Sequence, residues 1–140
     1  MRRPPTWLRW SAGAVALLLV GNVLWHGAQP YAVGLVPGGW DKLAHAGLHF
    51  MLCTTLLLTL KLRRGWWAVG LCAAFAALDE WSQQFNPGRT VSAADWAASV
   101  AGAVLALAAA HSLAWRTEIV ALHRARQRRA LVVRWTLPPG

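Results

Sequence analysis

Four stretches of the chain carry no Lys, Arg, Asp or Glu: Trp10 to Ala28, Leu43 to Leu60, Trp66 to Leu78 and Trp96 to Trp115. At 1.5 Å of rise per residue, about 17–25 such residues cross a bilayer core about 30 Å thick. Three of the stretches reach that length. The third stops after 13 residues at Asp79, so it either falls short or continues through Asp79 and Glu80 to about Phe85. Continuation predicts an all-α polytopic membrane protein of four transmembrane helices. A soluble helical core is the competing reading. Composition argues against it, since only 14% of residues are charged, against about 25% in an ordinary soluble domain.

Arg2, Arg3 and Arg9 precede the first apolar stretch, as basic residues precede a cleaved signal peptide. The run is long for that role, and no small-x-small cleavage site ends it, so a retained helix is expected. Cys53 and Cys72 both fall inside apolar spans, where they read as small packing residues rather than as a disulfide framework.

The basic residues orient the spans. Twelve of the fourteen lie on one side: Arg2, Arg3 and Arg9, then Lys61, Arg63 and Arg64, then Arg116, Arg124, Arg126, Arg128, Arg129 and Arg134. Only Lys42 and Arg89 lie on the other. By the positive-inside rule both termini are cytoplasmic. The chain then divides into a cytoplasmic N-terminus at 1–9, a four-helix membrane domain at 10–115 and a basic juxtamembrane tail at 116–140. The net charge of +9 follows from this topology, so nucleic acid is not inferred as a partner. The tail suits anionic inner-leaflet lipid instead. Nine tryptophans (Trp7, Trp10, Trp66, Trp67 and Trp115 inside, Trp25, Trp40, Trp81 and Trp96 outside) fall at headgroup level, where amphipathic indoles act as anchors.

The same topology gathers the acids. Asp41 opens the second span, Asp79 and Glu80 close the third, and Asp95 opens the fourth, all at the extracytoplasmic face. Only Glu118 is cytoplasmic. Asp41 and His45 are four residues apart, and Lys42 and His45 three, so all can share one helix face. Asp41 also complements a helix N-terminus and Lys42 can snorkel, which explains both without chemistry. That bland account does not cover His45 and His49, which lie deeper in the span. Intramembrane polar residues usually face a bundle interior or a wet cavity. Asp79 and Gln83 lie one turn apart and should point into the bundle near His45 and Arg89. Glu80, about 100° round the helix, is expected in a neighbouring sector nearer water. Such carboxylates must be paired, protonated or wet. They serve either as an ion-pair partner of Arg89 or as an acid/base pair. Arg89, the single arginine outside, suits an anionic ligand equally well. Pro87-Gly88 marks a turn. Ser92 and Asp95 have the spacing of a capping box with Asp in place of Glu or Gln. Ser99, Gly102, Ala103 and Ala106 give the fourth helix a small-residue face. His45 and His49 have the i, i+4 spacing of a zinc helix, with Asp79, Glu80 and Asp95 as possible partners, but Ala46 stands where H-E-x-x-H has Glu. No metal and no cofactor are therefore expected.

The ordered set Asp41-Lys42-x-x-His45, Asp79-Glu80-x-x-Gln83 and Arg89-x-x-Ser92-x-x-Asp95 resembles the VanZ-like family of small bacterial membrane proteins, over about residues 41–102. That family is named for a protein linked to teicoplanin resistance. The chain departs from it at Ser99, where Asn is common, and at His49, where an aromatic is common. The resemblance implies the bacterial inner membrane, a cell-envelope setting and a bearing on glycopeptide susceptibility, without a defined reaction. Together these readings put Asp79, Glu80 and His45 forward for proton handling. They assign Lys42, Arg89, Gln83, Asp41, Ser92 and Asp95 to an envelope lipid or lipid-linked glycan. A non-catalytic partner subunit, locked internally by the same charges, is the alternative. The sequence leaves open whether the chain pairs with itself or with another membrane protein.

Overall fold

The computed structural model describes residues 4–27, 29, 37, 40–60 and 65–136, with side chains through 121 except at Glu118. Arg2, Arg3, Lys61, Arg63 and Arg64 lie outside the described residues, as do the side chains of Glu118 and of the arginines beyond 122. The regular structure of the described residues is all helical: α1 at Thr6–Gly27, α2 at Trp40–Thr59, α3 at Gly65–Gln83 and α4 at Ala93–Thr136.

Contacts between helix ends fix an alternating, antiparallel arrangement. Arg9 at the start of α1 donates to the Thr59 carbonyl at the end of α2 (3.1 Å). Asn86, just past α3, donates to the Gly27 carbonyl at the end of α1 (2.9 Å). Gly65 opens α3 against Leu57 of α2 and Leu107 of α4. One end of the bundle thus collects the C-termini of α1 and α3 and the N-termini of α2 and α4.

The core is made of small and aliphatic side chains: Ala16 of α1, Leu52, Cys53 and Leu57 of α2, Ala68 and Cys72 of α3, and Ala103, Ala106 and Leu107 of α4. The α2–α4 pairing is the most extensive. Gly102 allows it, because a Cβ there would run into the backbone carbonyl of Ala46. Small residues let two helices approach until their backbones touch. The expected small-residue face of α4 is accordingly buried at Ser99, Gly102, Ala103 and Ala106.

Two helices, Thr6–Gly27 and Ala93–Ala121, are long and apolar enough to cross a membrane. The sequence reading anticipated four such segments. α2 and α3 fall short of that description because they begin with Asp41 and Lys42 or carry Asp79 and Glu80. The hydroxyls of Thr54, Thr55 and Thr59 return to carbonyls of their own helix at 2.7–2.8 Å, which satisfies them without a partner helix. The fourth helix does not stop at Trp115 as its apolar stretch does, but continues to Thr136. No Gly or Pro interrupts residues 103–137, and Ala, Leu and Arg favour the helix.

Candidate functional site

The mixed-polarity end of the bundle is built from three local devices. Asn86, Pro87, Gly88 and Arg89 form a turn closed by Arg89 N–H donating to the Asn86 carbonyl (3.2 Å). Gly88 has φ of 84°; Pro then Gly at the central positions, with Gly left-handed, suits a type II turn. That turn reverses the chain between α3 and α4. Ser92 then caps α4, its Oγ accepting from the Asp95 N–H at 3.2 Å. The capping box is completed from elsewhere. The Ser92 N–H donates to Glu80 Oε2 at 2.8 Å, so a carboxylate on α3 makes the bond that a local Glu or Gln usually makes.

Asp95 is thereby left to pair with α2. Lys42 Nζ lies 3.3 Å from Asp95 Oδ1 and 3.4 Å from Asp41 Oδ2. This rim is half open to its surroundings, and both carboxylates hold the Lys42 ammonium above its ordinary value, the bond to Asp95 contributing most. Asp41 also accepts from the Lys42 backbone N–H (2.8 Å) at the start of α2.

Behind the rim, Asp79 and Glu80 are buried to almost the same degree, at 4% and 5% exposure. Glu80 occupies the sector neighbouring that of Asp79, as the helical angle suggested. The sector it points into is filled by the start of α4. Asp79 Oδ2 accepts from Gln83 at 3.0 Å, the expected one-turn pair. Its other oxygen, Oδ1, faces Gly27 of α1, where a Cβ would lie 3.3 Å away. His45 reaches in from α2. Donor atoms of His45, Asp79 and Glu80 all lie within 4.8 Å of one another, and His45 Nδ1 is 3.4 Å from Ser99 Oγ.

Arg89 behaves differently from the expectation of an ion-pair lock. Among the described residues the ion pairs within 4.0 Å at this end are those of Lys42; Arg89 acts on Asp79 only through longer-range attraction. Asp79 Oδ1 and Glu80 Oε1 are buried without a hydrogen-bond partner.

His49, fully buried, is not one of the three residues whose donor atoms converge. Its Nδ1 lies 3.0 Å from the His45 carbonyl. A carbonyl only accepts, so Nδ1 carries the proton and Nε2 a lone pair. The ring packs on Phe75 at a centroid distance of 6.0 Å.

Two contributors were not singled out from the sequence: Asn86 ties the turn to α1, and Gly27 gives Asp79 its space. Ser99, read as part of the small-residue face of α4, is deeply buried and also faces His45. Trp96, read as a headgroup anchor, also donates its indole N–H to the Ala73 carbonyl of α3 at 3.1 Å.

No curated protein and no solved structure matches the chain. A family model described as VanZ/LLP1 matches residues 8–115, well over half of its length. The match begins near the start of α1 and ends about two turns beyond Leu107, the last buried residue of α4 among the described residues. It therefore takes in the whole polar end, and the chain belongs to the VanZ/LLP1 family.

Proposed function

We propose that the chain is a multi-pass protein of the bacterial inner membrane, with both termini cytoplasmic. Its polar end faces outward and binds or modifies an envelope lipid or lipid-linked glycan, with a consequence for glycopeptide susceptibility. One observation carries this reading: a half-buried imidazole and two buried carboxylates lie together in a bundle whose exterior is apolar. Trp7, Trp10, Trp25, Trp40, Trp66 and Trp67 are each at least 66% exposed, a surface suited to lipid and headgroups rather than to water. Burying carboxylates without ion pairs is costly, so their retention favours a working site.

In this reading Arg89, free of a close carboxylate among the described residues, holds the anionic group of the ligand as a bidentate fork. Asp79, Glu80 and His45 exchange protons with it. Lys42, Asp41, Ser92, Asp95 and Gln83 shape the entrance. The partner-subunit alternative draws on the same rim, since Lys42 with Asp41 and Asp95, and Glu80 with the cap of α4, are cross-links within the fold.

Asp79→Asn and Glu80→Gln separate the two readings. Each amide keeps an oxygen for its present donor, Gln83 or the Ser92 N–H. Both variants should reach the membrane at wild-type abundance and lose function, read as glycopeptide susceptibility of cells depending on the chain. Wild-type phenotype at equal abundance in both would favour the partner subunit. Cysteine labelling at positions 35, 64, 90 and 130 checks the orientation, and labelling of 64 or 130 from outside would reverse it.

A further inference from the structure

We propose that His45, Asp79 and Glu80 form a binding site for a divalent transition ion of the Zn2+ or Mn2+ class. The three residues come from two helices and offer donor atoms within 4.8 Å of one another. Two donors on one such ion, at about 2.1 Å each, lie at most about 4.2 Å apart. Small rotamer adjustments therefore close the set.

A second, independent observation points the same way. Asp79 and Glu80 are both more than nine-tenths buried, and each keeps one oxygen, Oδ1 and Oε1, without a hydrogen-bond partner. Their other oxygens are taken by Gln83 and by the Ser92 N–H. These bonds orient each carboxylate and leave its remaining oxygen unmatched, as groups around metal ligands commonly do. The charge count agrees. Two buried carboxylates have no ion pair within 4.0 Å among the described residues, and one divalent cation would neutralise both.

His45 supplies the nitrogen that makes the set selective. In the tautomer whose Nδ1–H donates to Ser99 Oγ, 3.4 Å away, Nε2 is left with the lone pair that a metal takes. One imidazole and two carboxylates, with no thiolate, favour Zn2+ or Mn2+ over soft ions. Three protein ligands leave positions for water or an anionic group, the arrangement of catalytic rather than structural sites.

His49 is not part of the set. Its Nδ1 is committed to its own helix, and the pair His45-x-x-x-His49 that the spacing offers is not the one the fold assembles. The site stands without the envelope-lipid reading, but its consequence rests on it: the ion would present the ligand's anionic group to Arg89.

The test uses the full chain purified in detergent and stripped with a chelator. Zn2+ and Mn2+ are titrated by calorimetry, and bound metal is counted by elemental analysis. Wild type should hold one ion per chain and gain thermal stability from it. His45→Gln, Asp79→Asn and Glu80→Gln should each weaken binding by more than the about 10–100-fold lost when a group that merely orients a ligand is removed. His49→Phe should bind as wild type does. Should the amide variants fail to fold, Co2+ added to wild type should give visible d–d bands that His45→Gln lacks. Absence of a bound equivalent in wild type, or unchanged affinity in all three variants, overturns the proposal. So does a metal-free protein that acid stabilises and metal does not, because protons then neutralise the carboxylates. One ion bound by wild type alone, with function intact in the amide variants, would keep the metal site and remove the envelope-lipid reading.

Discussion

The middle of the bundle and its polar end are made by the same helices, yet they treat polar atoms in opposite ways. In the middle, Leu52, Cys53, Leu57, Ala68, Cys72, Ala106 and Leu107 are buried, and the nearby threonine hydroxyls return to their own helices. At the polar end, His49 Nε2, Asp79 Oδ1 and Glu80 Oε1 are buried with no hydrogen-bond partner. Each such group costs about 1–3 kcal/mol relative to an apolar replacement. The middle is therefore built for stability. The polar end carries groups that cost stability, as a ligand site would under the proposed function.

The comparison breaks most visibly at the seam shared by both regions. Gly102→Ala drives a methyl into the Ala46 backbone, which has no flexible end to yield. The variant should lose about 4 kcal/mol or more, the range of severe overpacking, and vanish from membranes. Gly47→Ala and Gly70→Ala, inside helices and with nothing within 4 Å of the new atom, should keep wild-type stability or gain up to about 1 kcal/mol from helix propensity. Membrane abundance and unfolding in detergent measure both. Normal abundance of Gly102→Ala would mean that α2 and α4 pack more loosely than described.

Removing charge from the polar end should act in the opposite direction on stability. In chelated protein Asp79→Asn and Glu80→Gln should each raise stability by about 1 kcal/mol, because an amide is cheaper to bury than an unpaired carboxylate. A loss of similar size would place both carboxylates in a structural lock. Arg89 sharpens the same distinction at smaller scale. Without a carboxylate within 4.0 Å among the described residues, Arg89→Ala should cost less than about 1 kcal/mol yet abolish function. Arg89→Lys should leave abundance unchanged and recover little, since a point charge does not replace a bidentate fork. A loss of about 3–5 kcal/mol in Arg89→Ala would instead show a buried ion pair.

The sequence disclosed these regions unequally. Charge-free stretches announced all four helices, and Ser99, Gly102, Ala103 and Ala106 announced the face that α4 buries, because helical spacing is a local property. The Asp79–Gln83 pair was legible for the same reason. The length of α4 was not read, although the absence of Gly or Pro from 103 to 137 was available as a signal. What stayed hidden was contact across the fold. Glu80 reaches Ser92 over 12 residues and Asn86 reaches Gly27 over 59, and no periodicity encodes either. Arg89 was drawn toward the carboxylates by charge alone, whereas the turn that carries it sets a longer distance.

The smallest effect belongs to the rim. Lys42 bridges Asp95 and Asp41 across the starts of α2 and α4, with its side chain half exposed. Its ammonium is held above the ordinary value of 10.5 by the bond to Asp95, by that carboxylate's charge and by Asp41. A cation with a raised folded value contributes in full below 10.5, and the contribution is lost as pH rises through the raised value. Lys42→Met should therefore unfold slightly more easily than wild type, by a gap that is constant from about pH 6 to about pH 9. Above that range the gap should close, and added salt should narrow it at every pH. Thermal unfolding of both proteins across this range measures it. A gap that closes well below pH 9 would tie the rim to a second titrating group in the cluster behind it. Rim and buried cluster would then be one coupled unit, and the boundary between entrance and site would have to be redrawn.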